Sequence, residues 1–226
     1  MPGLSPAPQS RVPYDPAMTL PPTHLLYLHG FRSSPQSFKA QRMARAVAAL
    51  PQPLHWWCPQ LPPSPAEAMA LVREGTRHWP AGRRAVMGSS LGGFYATALA
   101  GDGGWRAVLI NPAVHPARDL AKYIGEQTAW HDPDVRFFFR PEFIAELETI
   151  DPGAPREPAA VQTWVAQGDE VLDWREMAAR HAATELHVLE GGDHALSSFD
   201  AHRDAMLRFL RLPHDSHPPA ERHACD

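Results

Sequence analysis

A serine hydroxyl is a weak nucleophile at neutral pH, and it needs a base to take its proton and a third group to orient that base. The stretch Ala85-Val86-Met87-Gly88-Ser89-Ser90-Leu91-Gly92-Gly93 offers one serine for such chemistry. A short apolar run leads straight into Ser90, which has glycine at minus two and plus two, and an alanine-rich helical segment follows at 94–100. This is the sequence form of a sharp strand–turn–helix connection that exposes its central residue. The strained central residue draws neighbouring chain close, and only glycine tolerates that proximity at the flanking positions. Ser89 is not the central residue, because Met87 and Leu91 would then flank it. A Gly/Ser turn without chemistry has the same pattern, so the partners of Ser90 decide its meaning.

Two later segments supply partners. Asp169 stands in Gly168-Asp169-Glu170-Val171 and His194 in Gly191-Gly192-Asp193-His194, each directly after a strand-like run. If both runs are parallel to the one before Ser90, all three residues lie at one edge of a sheet. His194 is one of 13 histidines, but its position after a double glycine at a strand exit sets it apart. Glu170, Asp173 and Asp193 compete with Asp169 for the orienting role. Asp173 suits the cap of a helix beginning at Trp174, and Asp193 is adjacent to the histidine it would have to reach around. Asp173 stays the main rival. A developing oxyanion needs backbone donors, and the amides of Leu91 and of Phe31, in the turn His29-Gly30-Phe31-Arg32, are the candidates. His29 precedes the serine segment and reads as structural.

The elements that must position these residues follow from hydrophobic patterning. Apolar runs at 24–28 and 105–110 are expected as buried strands, and 54–61, 84–89, 161–167 and 185–189 as further strands. Helical spacing occupies 35–50, 66–79, 94–100, 174–181 and 199–210, with a shorter helix near 142–149. Ser64, Pro65 and Glu67 read as a capping box opening the helix at 66–79. Alternating strands and helices imply a mostly parallel sheet covered by helices on both faces. The pattern loosens at 113–158, which reads as a small cap inserted after a strand end, where such folds place ligand sites. Within it Phe137, Phe138, Phe139 and Trp130 are candidates for an apolar pocket lining.

Bulk properties narrow the partners. The chain has 226 residues, enough for one domain with a substantial core, expected at 23–212. Residues 1–22 are proline-rich and 213–226 polar, and both are expected to be disordered. A net charge of −4 without a long basic run argues against nucleic acid or an anionic membrane as the main partner. Cys58 and Cys225 do not suggest a disulfide framework, so reduced thiols and a cytoplasmic location are expected. The spacing of His214, His217, His223 and Cys225 fits no zinc template. No cofactor or metal is expected, and the oligomeric state is not legible.

The segments Leu26-Tyr27-Leu28-His29-Gly30-Phe31-Arg32-Ser33-Ser34-Pro35 with Lys39-Ala40, Gly88-Ser89-Ser90-Leu91-Gly92-Gly93-Phe94, Asn111-Pro112-Ala113-Val114, Gly168-Asp169-Glu170-Val171-Leu172-Asp173 and Gly191-Gly192-Asp193-His194-Ala195 occur in this order. Together they resemble the YqiA-like esterases, a small branch of the α/β-hydrolase superfamily, over about residues 24–211. The resemblance implies an α/β-hydrolase fold and cofactor-independent, serine-dependent hydrolysis of small carboxylic esters or acyl thioesters. It implies Ser90 as nucleophile, Asp169 as acid and His194 as base. The sequence departs from the family in its head and tail, and in Leu196, where the family often has an aromatic residue. Peptidase, lactonase or acyltransferase chemistry on the same fold is the alternative, and a non-catalytic binding protein a further one.

Overall fold

The computed structural model describes residues 20–130, 132 and 134–212. The expectations for the tail at 213–226, and for all but the last three residues of the head, lie outside the described residues. In chain order the elements are β1 (His24–Leu28), α1 (Phe38–Ala48), β2 (His55–Trp57), α2 (Pro65–Thr76), β3 (Arg84–Ser89), α3 (Leu91–Ala100) and β4 (Trp105–Ile110). There follow α4 (Pro116–Leu120), β5 (Gly125–Thr128), β6 (Arg136–Phe139) and α5 (Glu142–Ile150). The chain then runs through β7 (Val161–Ala166), α6 (Trp174–Arg180), β8 (Glu185–Leu189) and α7 (Phe199–Phe209).

Six strands form one parallel sheet in the order β2-β1-β3-β4-β7-β8. The chain adds β2 on one side of β1 and β3 on the other, so the winding direction reverses between β1 and β3. A crevice opens at the carboxyl ends of strands where the winding reverses in this way. Leu28 pairs with Gly88 and Ser89 with Ile110, which brings the turns after β1, β3 and β4 to one edge.

The apolar strands divide their side chains between two cores, as a period of two requires. Leu26, Leu28, Val86, Ala107 and Leu109 pack with Met69 and Val72 of α2 and with Phe94 and Leu99 of α3. Leu25, Tyr27, Ala85, Met87, Val108 and Ile110 pack with Met43 and Val47 of α1 and with Phe199, Met206 and Leu207 of α7. All ten residues of α3 are buried, which explains why that helix has no polar face.

Strands β1, β3, β4 and β8 coincide with their expected ranges. Only residues 55–57 of the expected run at 54–61 pair with β1, and the Leu61 amide turns inward to His29 instead. Ser64 caps α2 by accepting from the Glu67 amide. The carboxylate that completes this cap comes from α5: Glu146 accepts from the Ser64 hydroxyl and the Ala66 amide. In the segment between β4 and β7, the antiparallel pair β5–β6 was not expected from the sequence. Its strands are four residues each, too short for a periodic signal, and it is anchored by Phe31, whose ring meets Phe137 and Phe139.

Candidate active site

Ser90 joins β3 to α3 with φ 57° and ψ −123°, a conformation that L-residues rarely adopt. The packing makes glycine obligatory on both sides of it. A Cβ on Gly92 would lie 2.0 Å from the carbonyl oxygen of Leu28, and one on Gly88 would lie 2.2 Å from that of Gly92. Both obstacles are backbone and cannot rotate away. The Ser90 amide donates to the carbonyl of Ile110, while its own carbonyl accepts from the amides of Gly93 and Ala113.

His194 and Asp169 arrive from the ends of β8 and β7. His194 Nε2 lies 3.0 Å from Ser90 Oγ, and Nδ1 lies 2.7 Å from Asp169 Oδ2. The Asp169 side chain is fully buried, and its Oδ1 accepts from the amides of Val171 and Leu172, at 2.8 Å each. An ionised carboxylate only accepts, so Nδ1 carries the ring proton and Nε2 is left to accept from the serine hydroxyl. Two glycine loops make this meeting possible: a Cβ on Gly168 would lie 2.3 Å from the carbonyl oxygen of Gly192, and the Gly168 amide donates to the Gly191 carbonyl.

The other carboxylates have separate partners. Asp173 caps α6 by accepting from the Arg175 amide. Glu170 accepts from the backbone amide of His194, and Asp193 from that of Ser197. Hydrogen bonds from Ser197, reinforced by the charge of Lys39, hold Asp193 below the usual carboxylate range. His29 is buried, and its Nε2 accepts from the Leu61 amide, which leaves Nδ1 to donate to the Gly30 carbonyl.

Phe31 and Leu91 line, with Ser90 and His194, a cavity of about 530 Å³. Leu91 is the first residue of α3, so its amide has no acceptor within the helix. Gly30 lets the β1 turn approach, since a Cβ there would lie 3.1 Å from the Cβ of Ser90. Beyond Phe31 and Leu91, which both cavities share, a second one of about 450 Å³ is lined by Leu61, Pro62, Tyr95, Val135 and Phe137.

The four residues expected to line an apolar pocket therefore separate. Trp130 lines the first cavity while 72% exposed, with the Arg32 guanidinium 4.2 Å from its ring centre. Phe137 lines the second. Phe138 and Phe139 line neither of these two cavities. Side chains alternate along β6, so Phe138 faces outward at 59% exposure, while Phe139 is buried against Phe31 and Phe143.

Sequence alone gives no role to Asn111 or Lys39, and offers Glu170 only as a rival to Asp169. Lys39, on α1, lines the first cavity and donates to the Ala195 carbonyl. Burial pulls its ammonium down to about 8, against the opposing charges of Asp193 and Asp169. The available signals were Lys39 inside a segment that resembles the YqiA-like esterases and an Asn-Pro pair closing a strand. Among the described residues no group of three or more His, Cys, Asp or Glu is placed to hold a metal ion, and no helix is long and apolar enough to cross a membrane.

The architecture has many counterparts. The chain is similar to α/β hydrolase domain-containing protein 10 from mouse, with a TM-score of 0.62 at 16% identity, covering 83% of this chain and 90% of that one. It is similar to the structure reported for LipS and LipT, two metagenome-derived lipolytic enzymes, with a TM-score of 0.63 at 16% identity, covering 85% and 95%. The esterase domain of a Rhodothermus marinus protein matches with a TM-score of 0.58 at 21% identity, covering 86% and 89%. These likenesses establish the α/β-hydrolase fold. The model of the family described as "Uncharacterised protein family (UPF0227)" matches residues 24–211, nearly the whole described chain, and the protein belongs to that family, the YqiA family.

Proposed function

We propose that this protein is a serine hydrolase that cleaves small carboxylic esters or acyl thioesters through an acyl-enzyme on Ser90. The observation that carries the reading is the unbroken hydrogen-bonded line Ser90–His194–Asp169, which ends in a cavity walled by Phe31 and Leu91. Hydrolases and esterases among proteins of this fold support the reaction class.

His194 Nε2 takes the proton as Ser90 Oγ attacks the substrate carbonyl. Asp169 holds the ring in the tautomer that leaves Nε2 able to accept, and stabilises the imidazolium that forms. Charge developing on the carbonyl oxygen is met by the amides of Leu91 and Phe31, and losing one such donor typically costs about 10²–10³ in turnover. The imidazolium then protonates the leaving alcohol or thiol, and water attacks the acyl-enzyme by the reverse sequence. Both cavities that meet at Phe31 and Leu91 are walled largely by apolar surface, which suits an apolar acyl group.

A fluorophosphonate probe and a chain-length series of p-nitrophenyl esters and acyl thioesters test this reading. Wild type is expected to be labelled and to hydrolyse members of the series, and Ser90→Ala to do neither. Labelling of Ser90→Ala equal to that of wild type would remove Ser90 from the role.

A further inference from the structure

Asn111 closes β4, between the strand that leads to Ser90 and the strand that leads to Asp169, and the proposed mechanism does not use it. It is fully buried and sits at φ 41°. Its side chain spends every polar group on backbone that carries the reacting residues. Oδ1 accepts from the amide of Ala166, three residues before Asp169, at 2.8 Å. Nδ2 donates to two consecutive carbonyls, those of Asp193 and His194, at 3.1 Å each. The next two residues reach the third partner. Pro112 packs so closely on Gly93 that a Cβ there would lie 2.8 Å from the proline Cβ, and the Ala113 amide donates 3.0 Å to the carbonyl of Ser90.

We infer that Asn111 is a positioning residue for His194, and that 111–113 form a clamp holding the Ser90, Asp169 and His194 segments in mutual register. The inference rests on the serine-hydrolase reading above. The bonds to the 193 and 194 carbonyls fix both peptide planes flanking His194, and Glu170 holds the His194 amide from the other side. Those planes set the direction in which the imidazole leaves the chain.

Residue chemistry explains why asparagine stands here. A left-handed φ favours Gly, Asn and Asp. Glycine has no side chain to bridge the loops, and an ionised aspartate cannot donate to two carbonyls. Only asparagine meets both demands.

The test uses Asn111→Asp, which keeps shape and backbone preference but turns the donor into an acceptor, and Asn111→Gly, which keeps only the backbone preference. Competent sites are counted by fluorophosphonate titration, and kcat and KM for a p-nitrophenyl ester are expressed per titrated site. Misplacement of a reacting group by about 1 Å can cost on the order of 10²-fold. Both variants are expected to lose about that much in kcat and in labelling rate, with KM within about threefold of wild type. A buried asparagine of purely structural value would lower Tm and the number of titratable sites and leave kcat per site intact, so kcat within twofold of wild type in either variant overturns the inference. Failure of wild type to be labelled at Ser90 would instead strike the functional reading beneath it.

Discussion

Four carboxylates stand on or beside the loops around His194, and each has a different partner. Asp169 meets the imidazole, Glu170 the His194 amide, Asp173 the first turn of α6 and Asp193 the Ser197 amide. Of the four, Asp169 alone is both enclosed and held by two backbone donors, which fixes its carboxylate against the ring. Asp169→Asn is therefore expected to keep the fold and lose on the order of 10⁴ in kcat, because the ring loses its tautomer control. Asp173→Ala removes a helix cap worth about 1 kcal/mol and is expected to lower Tm by about 2–4 °C with turnover unchanged. Steady-state kinetics and thermal melts of the pair check both outcomes, and a loss of turnover in Asp173→Ala as large as that in Asp169→Asn would reopen the choice.

The elements are pressed together at glycines, and the closest approach lies between α3 and the end of β1. Gly92→Ala would drive a methyl group against the Leu28 carbonyl at 2.0 Å, with backbone on both sides. Relief requires α3 to lift off the sheet, displacing a helix buried along its whole length. A cost of about 3 kcal/mol or more is expected, read as a fall in Tm of about 6 °C or more. A melt unchanged from wild type would show that the turn has slack the packing denies. The β5–β6 pair is held differently. Arg32, itself at φ 60°, donates to the carbonyl and hydroxyl of Thr128, and Phe31 inserts among Tyr123, Phe137 and Phe139. One turn thus presents a candidate oxyanion donor and anchors part of the cavity wall.

At the scale of the whole molecule, ionisation couples the site to stability through Lys39. Its folded-state value is depressed to about 8 from an ordinary 10.5, chiefly by burial. Below pH 8 both folded and unfolded chains carry the charge, and the full burial cost is present. Between about 8 and 10.5 the unfolded chain binds more protons, so stability rises with pH across that window. The Tm of wild type minus that of Lys39→Met is expected to grow from about pH 7 to about pH 10. A difference that stays flat would mean that the ammonium remains hydrated in the fold.

Much of the fold is legible in the sequence because burial leaves a local trace. Buried strands such as 84–89 and 105–110 carry short apolar runs, at 85–87 and 107–110, and the glycines around Ser90 mark a turn whose strain is also local. The chain order of Ser90, Asp169 and His194 at strand ends narrowed the candidate site to a few side chains. Tertiary structure chose among them. That Asp169 rather than Asp173 reaches the ring depends on β7 lying beside β8 and on Gly168 meeting Gly192. The sorting of Phe137, Phe138 and Phe139 waited on a short hairpin with no period of its own. The bridges of Asn111 span 55, 82 and 83 residues, and the contact of His194 with Ser90 spans 104. Periodicity reports which face a residue buries. Which distant groups share that burial is set only when the sheet assembles, because hydrogen bonds act over about 3 Å of space and carry no imprint along the chain.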